Sequence, residues 1–319
     1  MQTTSNKKTS GWKWFWGIFI SLMLLVGIFV GVSFIFFAKT ISSTSEKRFQ
    51  YEITGRGSEK IAVVDLNYTI MSSEPIVRQF KKYREDKSIK AIVLRINTPG
   101  GGVAASQEMY EAIRKTRDEG GKPVIVSISS VGASGGYMAA CGGTYIVSNP
   151  GSVVGSIGVI AQYYTVKELT VKLGIKENTI KSGKLKDAGN PMRDASPDDL
   201  AYFQDIIDDD YQQFLEVVSK ERKIDMDSLK AIANGRVFTG RQSLKLKLVD
   251  TLGTYEDAIN IACKYANIKD EPIIVREKER YNLLELFVEN LSHIGILGLK
   301  KEIEEDYLNK PILQYKFER

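Results

Sequence analysis

Charge disappears from the chain between Trp14 and Ala38, 25 consecutive residues, and returns immediately afterwards. As a helix rising ~1.5 Å per residue this stretch spans roughly 37 Å, enough to cross a hydrocarbon core of ~30 Å. A secretory signal carries an apolar stretch of only about 7–15 residues, so an uncleaved anchor is expected, with "ISSTS" (41–45) the nearest segment where cleavage could fall. Beyond it, "KTISSTSEKRFQYEITGRGS" (39–58) is polar and without period, which predicts a linker. From residue 60 β-branched apolar runs alternate with helical patterns. "KIAVVDL" (60–66), "KAIVLRI" (90–96), "KPVIVSI" (122–128) and "TYIVSN" (144–149) predict strands, and "SQEMYEAIRKTRDEG" (106–120) a helix between the second and third. That alternation implies βαβ units and a mainly parallel sheet in an α/β fold.

One helix is signposted in detail. Ser196 is a good N-cap, Pro197 suits the first turn, and Asp198 and Asp199 favour the positive end of the helix dipole. Leu200, Phe203, Ile207, Tyr211, Phe214 and Val218 follow at helical spacing and predict an apolar face for the core or a subunit contact. After "EPIIV" (271–275) the pattern changes. Residues 279–319 alternate apolar clusters with charge and predict one or two amphipathic helices and a tail, with membrane-surface contact, subunit packing and partial disorder all open. The expected organisation is an arm (1–13), an anchor (14–38), a linker (39–58), a folded domain (59–270) and a C-terminal amphipathic helical region (271–319).

Composition narrows the function classes. A hydrophobic share of 43% supports a sizeable core. The 44 basic and 39 acidic residues are interspersed and give a net charge of +5, with no basic run that would serve nucleic acid. Cys141 and Cys263 are the two cysteines, too few for a disulfide framework and without the spacing of a metal site, so neither metal nor cofactor is expected. Lys7, Lys8 and Lys13 precede the apolar stretch, while Lys39, Lys47 and Arg48 follow it. Charge alone barely favours the N-terminus inside the cell.

Candidate chemistry lies in two glycine-rich turns, "RINTPGGGVAAS" (95–106) and "SISSVGASGGYMAA" (127–140), each after a predicted strand. Glycine permits left-handed backbone and close approach to a ligand, and free amides at such turns can bind an oxyanion. Neither turn has the lysine and Ser/Thr of a phosphate loop or the full dinucleotide spacing. Ser134, among small neighbours, fits either an exposed nucleophile or a tight structural turn. A serine needs a base. The single histidine, His293, falls in the C-terminal region far from any strand end, which argues against a Ser–His–Asp triad or a Cys–His pair at Cys141. A lysine can serve instead. Lys181, Lys184 and Lys186 in "TIKSGKLKDAGNPMRDAS" (179–196) are the candidates, although three lysines in a loop are more simply read as solvated. A free lysine titrates near ~10.4 and a useful base near ~7–8, so burial or a positive neighbour must supply roughly 4 kcal/mol. Ser156, in "GSVVGSIGV" (151–159), could aim the amine.

Five segments together, "INTPGGG", "GASGGYMAA", "GSIGV", "SGKLKDAGNPMR" and "GRVFTGRQSLKLKLVDTLG", resemble in order the signal peptide peptidase A proteases, serine protease family S49, over about residues 59–265. The resemblance implies a Clp protease/crotonase-like α/β fold, a βαβ superhelix behind an N-terminal transmembrane helix. It implies Ser134 as nucleophile, Lys186 as general base, Ser156 as hydrogen-bond partner of the lysine amine, and the amides of Gly101 and Gly135 as oxyanion hole. It further implies signal peptides and other apolar peptides as substrates, a catalytic domain on the outer face of the cell membrane, and a homo-oligomeric ring whose active sites are shared between protomers. Two positions depart from the family pattern: Thr98 where serine is commoner, and Lys247 where glycine is usual. An acyl-CoA hydratase or isomerase-like enzyme, or a catalytically silent membrane scaffold, are the other readings of the same fold; the first normally has no anchor, and neither needs the serine and lysine.

Overall fold

The computed structural model describes residues 11–43, 49–279 and 313–316. The residues group into two units, 1–50 with 279–281 and 51–278 with 282–319. The expected arm falls largely outside the described residues, as do 44–48 of the linker, His293 and almost all of the expected C-terminal helices.

The first unit is one long helix, α1 (Gly11–Ser43). Within it Trp14–Ser33 has a mean hydropathy of 2.5 and side chains such as Leu24 and Phe29 are exposed. An exposed apolar helix of this length fits a membrane anchor.

The second unit is built on a mixed, mostly parallel sheet. Its elements run β1 (Phe49–Thr54), β2 (Lys60–Leu66), α2 (Glu74–Glu85), β3 (Ile89–Thr98), β4 (Gly100–Gly102), α3 (Val103–Asp118), β5 (Val124–Ala133) and α4 (Gly135–Ala140). They continue with β6 (Tyr145–Ser148), β7 (Val153–Gly155), β8 (Ile160–Ala161), α5 (Lys167–Lys172), α6 (Pro197–Arg222) and α7 (Met226–Ile232). The last are β9 (Val237–Thr239), α8 (Gly240–Lys245), β10 (Thr251–Leu252), α9 (Tyr255–Tyr265), β11 (Ile273–Glu279) and β12 (Leu313–Lys316).

The main sheet has the order β1-β11-β2-β3-β5-β6-β10 among the described residues, with β7 parallel to β5 beyond its β6 pairing and β9 antiparallel to β7. The central pairs β2–β3, β3–β5 and β5–β6 are all parallel. Their apolar runs are continuous because both faces are covered. Along β2, Ala62, Val64 and Leu66 enter a core with α2, α3, α4 and α6, while Ile61 and Val63 enter a second core with Ala258 and Ala262 of α9. Each fully buried Ile, Leu or Phe, such as Ile92, Leu94 and Phe214, contributes roughly 1.5–3 kcal/mol.

Several elements differ from the sequence reading. The linker contains β1, whose Phe49, Tyr51 and Ile53 alternate with polar residues, a period-two signal too short to stand out beside charge. Helix α2 sits between the first two predicted strands, where Pro75 near its start is followed by buried Ile76, Phe80 and Tyr83. The sheet also extends past residue 270, since β11 pairs in parallel with β2 from Ile273 to Arg276. Helix α6 starts at Pro197 with Ser196 as N-cap, as expected, and adds a reciprocal bond from the Ser196 amide to Asp199. Its stripe splits: Phe214 and Val218 are buried, whereas Leu200 is 57% exposed. At Lys247 the backbone keeps the left-handed φ of 60° that suits a glycine, so the lysine follows the chain path rather than changing it.

Candidate active site

Strand β5 ends at Ala133 and α4 begins at Gly135, leaving Ser134 alone at the junction with φ 52° and ψ −118°. A non-glycine residue held there stores strain on the order of 1–3 kcal/mol, which surrounding bonds must overcome. The Ser134 amide donates to Gly155 O at 2.7 Å, and Ser134 O accepts from Met138 N at 2.9 Å. Ser134 is 1% exposed, and among the described residues its Oγ has no hydrogen-bond partner. A buried hydroxyl without a partner is an exception to the rule that buried polar groups are satisfied. The geometry is that of a strand-to-helix elbow with a spare hydroxyl.

The other glycine turn is packed against it. Ile70 N donates to Gly100 O and Gly102 N to Ile70 O, both at 2.8 Å, so the intervening Gly101 turns its amide to the opposite edge. A Cβ on Gly101, whose φ is +157°, would collide with the Ile70 backbone. A Cβ on Gly135 would strike Ser106 Oγ and lie 3.3 Å from Gly101 N, so the Gly101 amide and Gly135 are neighbours. Ser106 Oγ donates to Gly102 O at 2.8 Å and braces that strand. Thr98 Oγ1 donates to Tyr68 O and accepts from Gly100 N, work a serine hydroxyl would also do. Along the opposite edge β12 runs antiparallel to β4, with Tyr315 facing Gly101, and antiparallel to β8. The edge therefore accepts an extended strand.

Ser156 is brought beside this turn by register. Ala133 pairs with Gly155 in the β5–β7 ladder, so Ser134 and Ser156 leave adjacent strand ends together, and Ser156 too has a positive φ of 51°. Ser156 is 5% exposed and its amide donates to Arg236 O at 2.9 Å. It lines a cleft of about 600 Å³ with Val159, Ile160, Ile207, Tyr211 and Asn234, within the range of ordinary ligand pockets.

Lys186 is placed differently. It lies on an exposed turn, its amide donating to Gly183 O at 3.2 Å. Among the described residues Ser134 Oγ is partnerless, so no hydrogen bond joins it to Lys186 within this chain. Much of the arm that carries Lys186 faces solvent: α5 buries none of its residues, and Tyr164, Leu169, Val171, Leu173 and Ile180 are exposed. Around Lys186 the charges are ordered. Lys181 Nζ binds Asp187 and the carbonyl of Lys184, and Lys184 pairs with Asp198. Arg193 and then Lys181 hold the Asp187 carboxyl down at about 2, and Arg193 with the Ser196 amide keeps Asp199 below the usual carboxylate range. The sequence reading singled out neither Arg193 nor Ser106; the spacing of Ser196 to Asp199 was the one available sign that this loop is tied to α6.

Other candidates fall away chemically. Burial pushes the Cys141 thiol up to about 12, so it is a packing residue. Among the described residues no group of three or more His, Cys, Asp or Glu is arranged to hold a metal.

Residues 116–269 match the profile of peptidase family S49. The chain is 36% identical over 216 residues to a Synechocystis sp. protein named "Putative protease", covering 67% of this chain and 77% of that one. It is 34% identical to a "Putative protease" of Methanocaldococcus jannaschii, over 68% of this chain and 74% of the other. It is also 34% identical to a "Putative signal peptide peptidase SppA" of Enterococcus faecium, over 61% of this chain and 57% of that relative.

Proposed function

The chain belongs to peptidase family S49 and is a serine peptidase, and from that premise we propose that it works through a Ser134–Lys186 dyad on peptides left in or at the membrane. The observation that carries the reading is Ser134 itself: a strained elbow residue whose buried hydroxyl has no structural partner and sits beside two glycines. Neutral Lys186 takes the hydroxyl proton as Ser134 Oγ attacks the scissile carbonyl. The developing oxyanion is held by the Gly101 and Gly135 amides. The proton passes from Lys186 to the leaving amine, giving an acyl-enzyme. Lys186 then activates water, which releases the acid and restores the serine. Ser156, which lines the cleft, accepts a hydrogen bond from the amine and aims it. In this reading the catalytic domain is residues 59–270 together with β1 and β11, which pair onto the same sheet.

The two glycines have a direct test. Gly101→Ala forces a Cβ into the Ile70 backbone and moves the donor. Losing one preorganised oxyanion donor costs about 10²–10³ in kcat, so kcat is expected to fall by that factor with KM little changed. An unchanged kcat would remove Gly101 from the oxyanion hole.

The lysine reaches the serine from a neighbouring protomer in this reading, with the exposed apolar arm covered by a second copy in a ring. Helix α1 anchors the assembly, and the catalytic domain lies on the outer face. The substrates are signal peptides after their release, which supply an extended strand for the β4 edge and apolar side chains for a cleft lined by Val159, Ile160 and Ile207. With full-length protein in detergent, a peptide with an uncharged apolar core is expected to be cleaved at least about tenfold faster in kcat/KM than a polar peptide of the same length. Equal rates would show that the cleft does not select apolar peptides.

A further inference from the structure

Lys186 stands on an exposed turn, yet a general base must be held to a fraction of an ångström. The next residue shows how the turn is fixed. Arg193 binds Asp187 three times: Nε to Oδ2, Nη2 to Oδ1 and Nη2 to the main-chain carbonyl, each at 3.0 Å. The same guanidinium binds Asp199 through Nη2 at 3.0 Å and through Nη1, and Nη1 also donates to Asp194 O at 3.0 Å. All three guanidinium nitrogens are therefore committed. Asp199 is an immobile anchor: its side chain is 1% exposed, and it closes the reciprocal cap with Ser196 at the start of α6. That helix is rooted in the core by Phe214, Leu215 and Val218. A continuous chain of contacts thus runs from the core through α6, Asp199 and Arg193 to Asp187, the residue following Lys186.

We infer that Arg193 is the positioning residue for the Lys186 base, fixing the Lys186 turn to the N-terminus of α6 while compensating the charge of the adjacent Asp187. The inference rests on the dyad reading. It explains why a planar fork stands here: two carboxylates and two carbonyls need five directed N–H groups, which an ammonium lacks. It also has an electrostatic side. The charged groups around Lys186 are Lys181 and Arg193 on Asp187, Lys184 on Asp198, Lys167 on Asp194, Asp199 under Arg193, and Glu177, which accepts from Asn190. Removing the Arg193 cation leaves an excess of negative charge beside an amine that must be neutral to act.

Two substitutions separate geometry from charge in the full-length protein, with assembly measured on the same samples. Arg193→Lys keeps the cation but loses the fork. It is expected to lower kcat by about a hundredfold, with KM retained and the acid limb of the kcat/KM profile in place. Arg193→Gln loses both, so kcat falls and that limb moves to higher pH by on the order of one unit. A purely structural arginine would lower activity equally at every pH. Wild-type kcat in both variants overturns the inference, and so does a Gln variant that loses kcat with its limb unmoved. If the Gln variant does not assemble, the Lys variant decides: reduced kcat at unchanged KM and assembly supports the role, and unchanged kcat removes it. Lys186→Ala is measured alongside. A fully active Lys186→Ala protein overturns the dyad and this inference with it, whereas an inactive one beside wild-type Arg193 variants overturns the positioning role alone.

Discussion

Ser134→Ala is expected to abolish peptide cleavage, lowering kcat by about four orders of magnitude or more, while leaving the protein as stable as before or more stable. The two halves of this result come from one observation. The hydroxyl is buried and unpaired, so it contributes nothing to the fold; its desolvation works against it by an amount on the order of 1–3 kcal/mol. Alanine removes that burden and keeps the Cβ the backbone already accommodates. A serine retained at the expense of stability is the usual signature of a residue kept for chemistry. The measurement is hydrolysis of an apolar peptide together with a thermal or denaturant transition for both proteins. A variant that still cleaves would remove Ser134 from the nucleophile role. A variant that loses activity only because it unfolds would show that the hydroxyl has a structural partner after all.

Lys186→Ala is expected to be equally inactive, and the larger effect appears on mixing. No hydrogen bond joins Ser134 and Lys186 within one chain, and Lys186 is carried on an arm with several exposed apolar residues. If each site takes its serine from one protomer and its lysine from the next, co-assembled Ser134→Ala and Lys186→Ala subunits restore intact sites wherever the order is right. For equal amounts in random order that is about one site in four, so about a quarter of wild-type activity is expected from two dead proteins. Size measurement on the mixture must show mixed assemblies. Silence in a confirmed mixed assembly would mean that the arm folds back to its own serine, and the shared-site reading would fall.

Much of the framework was legible beforehand because it depends on local chemistry. Continuous β-branched runs gave the central strands, since strands buried on both faces need no polar alternation. The cap at Ser196 was legible because Ser, Pro and Asp each suit a helix start for local reasons. Two glycine-rich turns marked the candidate site because close backbone approach favours glycine. What was missed depends on partners distant in sequence: β1 and β11 are ordinary short segments until they pair, and β11 joins β2 across more than two hundred residues of chain. Arg193 was one charge among many in a polar loop. Only the meeting of Asp187 and Asp199 on its two edges distinguishes it.

The sequence by itself determined the long apolar N-terminal segment, the α/β character, the two glycine turns and a small set of candidate residues for the chemistry. Each of these follows from what a short stretch can bury, bend or ionise. The tertiary structure alone decided that Ser134 is strained and unpartnered, that Ser156 leaves the sheet beside it, and that Gly101 reaches Gly135. It alone left Lys186 exposed, with no hydrogen bond to the serine of its own chain. Such relations are set by strand register and loop docking, and these are fixed by contacts summed over the whole fold rather than by any residue's neighbours in the chain.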